Sequence, residues 1–138
     1  MAFLSAAESQ AQAELAYVRG TYYVALTNAT TDYTPSTTYS TIVSDEVSTS
    51  NGGYSRVSYT YSASDVLAYS NGTPLTQKVA TFVHDGSTGD INFNYVVLLR
   101  EVSGTYSIVG YEKLPGLAII TSGSKATINI NFNHGFAS

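Results

Sequence analysis

The chain has 138 residues and a mass of 14.7 kDa, enough for one domain with a real core and too little for two. Its formal net charge is −4 and its six cations, Arg19, Arg56, Lys78, Arg100, Lys113 and Lys125, stand singly, so no basic stripe exists to follow a phosphate backbone and nucleic-acid binding is disfavoured. Cysteine is absent, which excludes disulfides, thiolate metal sites and a cysteine nucleophile; the charged fraction of 12% is about half that of an ordinary soluble chain, its place taken by Ser, Thr, Asn, Gly and 12 Tyr.

In chain order, Met1-Ala2-Phe3-Leu4-Ser5 has no basic segment leading into an apolar run, which predicts synthesis in the cytoplasm. No stretch reaches the ~20 apolar residues of a membrane-spanning helix. Ser5-Ala6-Ala7-Glu8 spells a capping box, so a helix is expected from about Ala6 to Arg19, ended by Gly20. Leu4, Ala7, Ala11, Leu15 and Val18 form a narrow, mostly small apolar stripe on it. Thr21 to Thr27 is a β-branched and aromatic run of strand length. Residues 28–40, rich in Thr, Ser, Asp, Asn and Pro without a period, read as an extended, exposed loop or arm, followed by a short extended piece at Ile42-Val43.

Asn51-Gly52-Gly53 signals a turn into Arg56 to Ser62, where Val57, Tyr59 and Tyr61 alternate onto one face. Asn71-Gly72 signals another turn before a strand within Leu75 to Phe82, and Asp85 to Asp90 a polar turn before the longest strand, Ile91 to Val102. There Ile91, Phe93, Tyr95, Val97 and Leu99 are expected on one face and Val96 and Leu98 on the other, the pattern of a central strand covered on both sides. Ser103-Gly104 can close a hairpin into Tyr106 to Tyr111; Pro115-Gly116 and Ser122-Gly123 punctuate two further segments, Leu117 to Ile120 and Ala126 to Phe132. The expected fold is mainly β: an antiparallel β-sandwich or barrel of about seven to eight strands with one short N-terminal α-helix. Residues 1–138 make a single domain, 1–20 a helical segment and 21–138 the β-domain with its loop at 28–40.

Few groups with chemistry stand where they could converge. His84 and His134 are the only imidazoles, about fifty positions apart, and neither sits in a nucleophile pattern. Ser122-Gly123-Ser124-Lys125 has the Ser-x-x-Lys spelling of some acyl-serine enzymes, but it stands in a turn entering a strand rather than at a helix start, and the partner motifs are missing. Asp85 and Asp90 flank glycines in a way that could hold Ca²⁺ with help from carbonyls, yet the alternating oxygens and closing Glu of an EF-hand are absent, so a polar turn is the simpler reading. Asp45-Glu46 would point to opposite faces of an extended segment, against joint acid–base work, and reads as a solvated pair. Asn51-Gly52-Gly53-Tyr54 lacks the Lys and the following helix of a phosphate loop. Asn28-Ala29-Thr30 and Asn71-Gly72-Thr73 spell glycosylation acceptors without a secretory signal. The residues therefore name no catalytic, cofactor-binding or metal site, and a non-enzymatic, structural protein is expected.

The strand Tyr22-Tyr23-Val24-Ala25-Leu26-Thr27 and the stretch from Glu46-Val47-Ser48 through Asn51-Gly52-Gly53-Tyr54-Ser55-Arg56-Val57, behind an N-terminal helix and a Thr/Pro loop, resemble small virion proteins of tailed bacteriophages. In that family a YVALxT strand is followed by an EVSGGGYARV-like turn, and members are head-decoration or tail-fibre-like proteins. Here Thr49-Ser50-Asn51 is added before the paired glycines, and the Trp-Gly element often found in the second half is missing, Trp being absent. The resemblance covers about the first half of the chain and gives Gly52 and Gly53 a structural part. It implies a capsid-decoration (cement) protein on the virion exterior, a homotrimer bound to the major capsid protein, with no nucleic acid, membrane, metal or cofactor as partner. Two other readings stay open: a tail-fibre, tail-tip or adaptor component, and a carbohydrate-binding β-sandwich using its tyrosine faces.

Overall fold

The computed structural model of the chain describes residues 20–62 and 78–130. The expected helix before Gly20, the turn at Asn71-Gly72, the start of the Leu75 to Phe82 strand, His134 and Phe132 lie outside them. The described elements are β1 (Thr21–Thr27), α1 (Tyr39–Asp45), β2 (Val57–Tyr59), β3 (Lys78–Val83), β4 (Ile91–Val102), β5 (Thr105–Ile120) and β6 (Lys125–Ile130). The chain is thus mainly β with one short helix among the described residues. The six described strands form two antiparallel sheets, one ordered β2-β1-β4-β5 and the other β3-β6.

The β-branched and aromatic runs form strands because their side chains pack well on a pleated surface. β4 has the limits its sequence predicts and lies between β1 and β5, with Ala25 opposite Val97 and Leu98 opposite Gly110. The turn before β5 is closed by Ser103 and Gly104, both at positive φ (52° and 84°), as a two-residue hairpin with right-handed strand twist requires.

Two apolar clusters lie on opposite faces of the four-stranded sheet. The first joins Val24, Leu26, Ile91, Phe93 and Ile120 to Ala80 and Phe82 of the second sheet, with Val96 and Leu98 packed at its margin. The second sets Ala25, Tyr95, Val97 and Leu99 against Ala29, Tyr33 and Ile42. All five odd residues from Ile91 to Leu99 are buried, but not on one shared face as alternation suggests. The register with β5 shifts between Phe93 and Tyr95, so Ile91 and Phe93 join the first cluster and the other three the second. The same shift absorbs Pro115 and Gly116. Instead of separating two strands they sit in an irregularity within one 16-residue strand, where Pro needs no ladder N–H.

The region 28–45 departs most from expectation. Residues 28–38 are mostly exposed, as expected of a loop, but they are fastened to the sheet at two points rather than standing away from it as an arm. Ala29 and Tyr33 are buried, and the Asn94 side-chain amide pairs with both backbone groups of Ala29 (2.8 Å from its N–H, 2.7 Å to its carbonyl), replacing a missing strand neighbour. Ile42-Val43 is helical rather than extended. Helix α1 starts after extended Thr38 and buries Ile42 completely while Val43 stays half exposed. Two helical turns of β-branched residues have little stability of their own, so the burial of Ile42 holds them.

Candidate functional site

Three loops meet at the end of the fold near Ile91. Gly52 and Gly53 both have positive φ (58° and 69°), as the Asn51-Gly52-Gly53 turn signal implies, and Tyr54 N–H closes the turn on the Asn51 carbonyl at 3.0 Å. His84 packs flat under Gly52, so close that a Cβ there would meet its ring at 2.6 Å. The His84 ring donates from Nε2 to the Gly89 carbonyl (2.7 Å) and accepts the Gly86 N–H at Nδ1 (3.0 Å). A carbonyl only accepts and an amide N–H only donates, so the tautomer is fixed as Nε2–H. Its backbone N–H reaches the Ser124 carbonyl, and Asp85 N–H reaches the Gly52 carbonyl. His84 is a structural pin joining three turns, 5% exposed, with both ring nitrogens occupied.

The other polar residues singled out in the sequence fall as follows. Asp85 accepts the Ser87 N–H at 2.8 Å, an Asx-type turn whose hydrogen bonds to Ser87 hold its carboxyl below the usual carboxylate range. Asp90 is exposed. Among the described residues no three His, Asp or Glu side chains converge as a metal group would require. Ser122 stands in the exposed turn closed by Ser124 N–H on the Thr121 carbonyl, and Lys125 begins β6 opposite Val83; no helix brings the two together. Asp45 and Glu46 do serve different surroundings, but they are not a solvated pair: each carboxylate is held by donors from the protein.

Asp45 Oδ2 lies 3.0 Å from Tyr33 Oη, itself 2.8 Å from Thr27 Oγ1; burial, reinforced by the carboxylate, pushes the Tyr33 phenol up to about 12. Tyr33 also packs on Tyr95 (ring centroids 4.4 Å apart) and edge-on to Tyr111, pinning the 28–38 loop to β4 and β5. Asp32 adds an exposed ion pair to Lys113 at 2.7 Å, worth little in stability.

Glu46 is the hub of the other network. Its Oε2 accepts Tyr54 Oη–H (2.6 Å) and Arg56 Nε–H (2.8 Å), and its Oε1 accepts Arg56 Nη2–H (2.8 Å). Arg56 Nη1 donates to Tyr39 Oη at 3.0 Å, and its guanidinium lies 5.5 and 5.4 Å from the centroids of the stacked Tyr39 and Tyr106 rings. Tyr54 Oη in turn accepts the buried Leu26 N–H (3.0 Å), a ladder donor that β2 is too short to reach. A cleft of about 560 Å3 opens beside this network. Glu46, which lines it, holds three protein donors on its two carboxylate oxygens. Sequence reasoning passed over Tyr33, Tyr54 and Arg56 because their partners are brought together by the fold alone.

Among the described residues, large apolar side chains stand exposed on two strands. β5 is the edge of its sheet and exposes Val109, Tyr111, Leu117 (57%) and Ile119 (54%), while β3 exposes Val79 and Val83. An open groove of about 240 Å3 runs between β5 and β6, floored by Val24, Val96 and Leu98. No helix of the described residues is long and apolar enough to cross a membrane. No family model, curated protein or solved structure matches this chain.

Proposed function

We propose that the chain is a non-catalytic structural protein that works by packing against other protein subunits, as a capsid-decoration (cement) protein of a tailed bacteriophage. In this reading it is a homotrimer on the virion exterior that binds the assembled major capsid protein lattice. The observation that carries the reading is the apolar row Leu117 and Ile119 on an edge strand of a weakly charged surface. Such a face costs little to desolvate against a neighbouring subunit and much to leave in water. The phage assignment rests on the resemblance of β1 and of the Glu46 to Val57 stretch. Cement action follows from linkage: a protein that binds only the assembled lattice adds its binding free energy to the shell, multiplied over many copies.

Co-sedimentation with assembled shells, set against unassembled capsid subunits, tests this. The purified chain is expected to pellet with the lattice alone, and Leu117→Ser/Ile119→Ser to lose binding while keeping wild-type urea stability. Undiminished binding by that double variant would remove the β5 row from the account, and absence of lattice binding would remove the cement reading.

A further inference from the structure

The Asn51-Gly52 bond sits in the turn that His84 pins, and it carries chemistry of its own. Among the described residues Asn51 is the one asparagine followed by glycine; Asn28, Asn92, Asn94 and Asn129 precede Ala29, Phe93, Tyr95 and Ile130. A following glycine has no Cβ to shield its backbone nitrogen and turns freely. Hydrogen bonding does not restrain the pair either. Neither the Asn51 side-chain amide nor the Gly52 N–H has a hydrogen-bond partner among the described residues, and Asn51 is only half-buried. Asn94 is the contrast: its amide is fastened to both backbone groups of Ala29, which also ties up the N–H that follows Asn28.

We infer that Asn51 is a site of spontaneous modification, in which its side-chain amide is lost through a succinimide and the product loosens the three-turn end of the fold. The Gly52 nitrogen attacks Asn51 Cγ and gives up its proton to solvent, while the amide nitrogen leaves as ammonia. Water then opens the five-membered ring at either carbonyl, leaving aspartate in the ordinary linkage or isoaspartate, whose main chain runs through the side-chain carbon. Both products disturb the same contacts. Asn51 Oδ1 packs against Gly89, where a Cβ would meet it at 2.7 Å, so a carboxylate made there faces the turn that already carries Asp85 and Asp90. Asp85 is ionised at neutral pH, its hydrogen bonds to Ser87 holding it below the usual carboxylate range, and its Oδ2 lies against Gly53. Isoaspartate adds a main-chain atom just before Gly52, which is fitted so tightly on the His84 ring that not even a Cβ has room. The turn bonds from Asn51 N–H to the Ser48 carbonyl and from Tyr54 N–H to the Asn51 carbonyl hold the peptide groups and leave the side chain free to rotate about its own bonds. The inference holds whichever partner the whole protein binds.

The test incubates the full-length chain in mildly alkaline buffer, folded and in urea, and reads each asparagine by peptide mass mapping with fragmentation that separates aspartyl from isoaspartyl linkages. In the folded chain, conversion at residue 51 is expected to run roughly ten-fold or more ahead of Asn28, Asn92, Asn94 and Asn129, with isoaspartate among its products. For the effect on the fold, Asn71→Gln removes the second Asn-Gly pair, so that the fraction separated by its extra charge is converted at residue 51. That fraction is expected to unfold at a lower urea concentration than the fresh chain, while Asn51→Ser/Asn71→Gln keeps its midpoint through the same incubation. An Asn51 that converts in urea but stays intact in the folded chain would overturn the inference. So would a converted fraction whose urea midpoint equals that of the fresh chain.

Discussion

Replacing Glu46 by Gln keeps the side chain's size and removes one acceptor and the charge. In the wild type its two oxygens take three donors, from Tyr54 Oη, Arg56 Nε and Arg56 Nη2, with side-chain exposures of only 18% for Arg56 and 13% for Glu46. Gln must turn its NH₂ toward one of these donors, losing at least one charge-assisted bond of about 1.5–3 kcal/mol and leaving the guanidinium without its counter-charge. A fully buried pair broken this way costs about 3–5 kcal/mol. The remaining solvent access at Arg56 reduces that to about 2–3 kcal/mol. With a urea m-value near 2 kcal/mol/M the midpoint should fall by roughly 1–1.5 M. Arg56→Met alone should cost a similar amount, by stranding Glu46. The double variant should be less destabilised than the sum of the singles by about 1.5 kcal/mol or more, since neither charge is then left alone. A loss below about 0.5 kcal/mol for Glu46→Gln, the behaviour of a surface pair, would refute the hub assignment.

Other consequences follow from single residues. Gly52→Ala places a Cβ 2.6 Å from the His84 ring at φ +58° and should cost about 3 kcal/mol, while Gly104→Ala, at φ +84° in open space, should cost about 1 kcal/mol; equal costs in urea unfolding would deny the contact its role. In ¹⁵N spectra at neutral pH, His84 should show the Nε2–H tautomer. His84→Leu strands the Gly86 N–H and the Gly89 carbonyl and should destabilise by about 2 kcal/mol; a signal from Nδ1–H would contradict the pin. Tyr33, pushed from its ordinary 10.0 up to about 12 by burial and by Asp45, ionises later in the fold than in the unfolded chain. Its contribution is therefore complete below pH 10 and lost as pH rises from 10 to 12. Tyr54 and Tyr59 are raised in the same direction, chiefly by burial. Tyr33→Phe should flatten the loss of stability between pH 10 and 12; an unchanged slope would count against the assignment.

Elements whose determinants are local were readable from the chain. β4 announces itself through alternation bounded by turn residues, and the Ser103-Gly104 and Asn51-Gly52-Gly53 turns through residues that tolerate positive φ. What escaped depends on partners far along the chain. Ile42-Val43 has strand-forming side chains, but a helix is the conformation that seats Ile42 beside Val97 and Leu99. The polar loop at 28–38 looks soluble residue by residue, yet Asn94 and Tyr95, more than sixty positions on, supply the partners that fasten Ala29 and Tyr33. Pro115-Gly116 reads as a strand end, and only the shift against Phe93 and Tyr95 explains how β5 runs through it. At the candidate surface, the low charge of the chain was visible in its composition. The exposure of Leu117 and Ile119 was not, because which face of an edge strand stays uncovered is decided by the two sheets together.

The central claim, that this chain serves as a lattice-bound structural subunit, is tested most directly by counting its copies per purified phage particle against the major capsid protein with quantitative mass spectrometry. The account predicts about one copy per capsid subunit. A ratio ten-fold lower or less would place the chain in the tail, and its absence from the particle would contradict the virion assignment altogether.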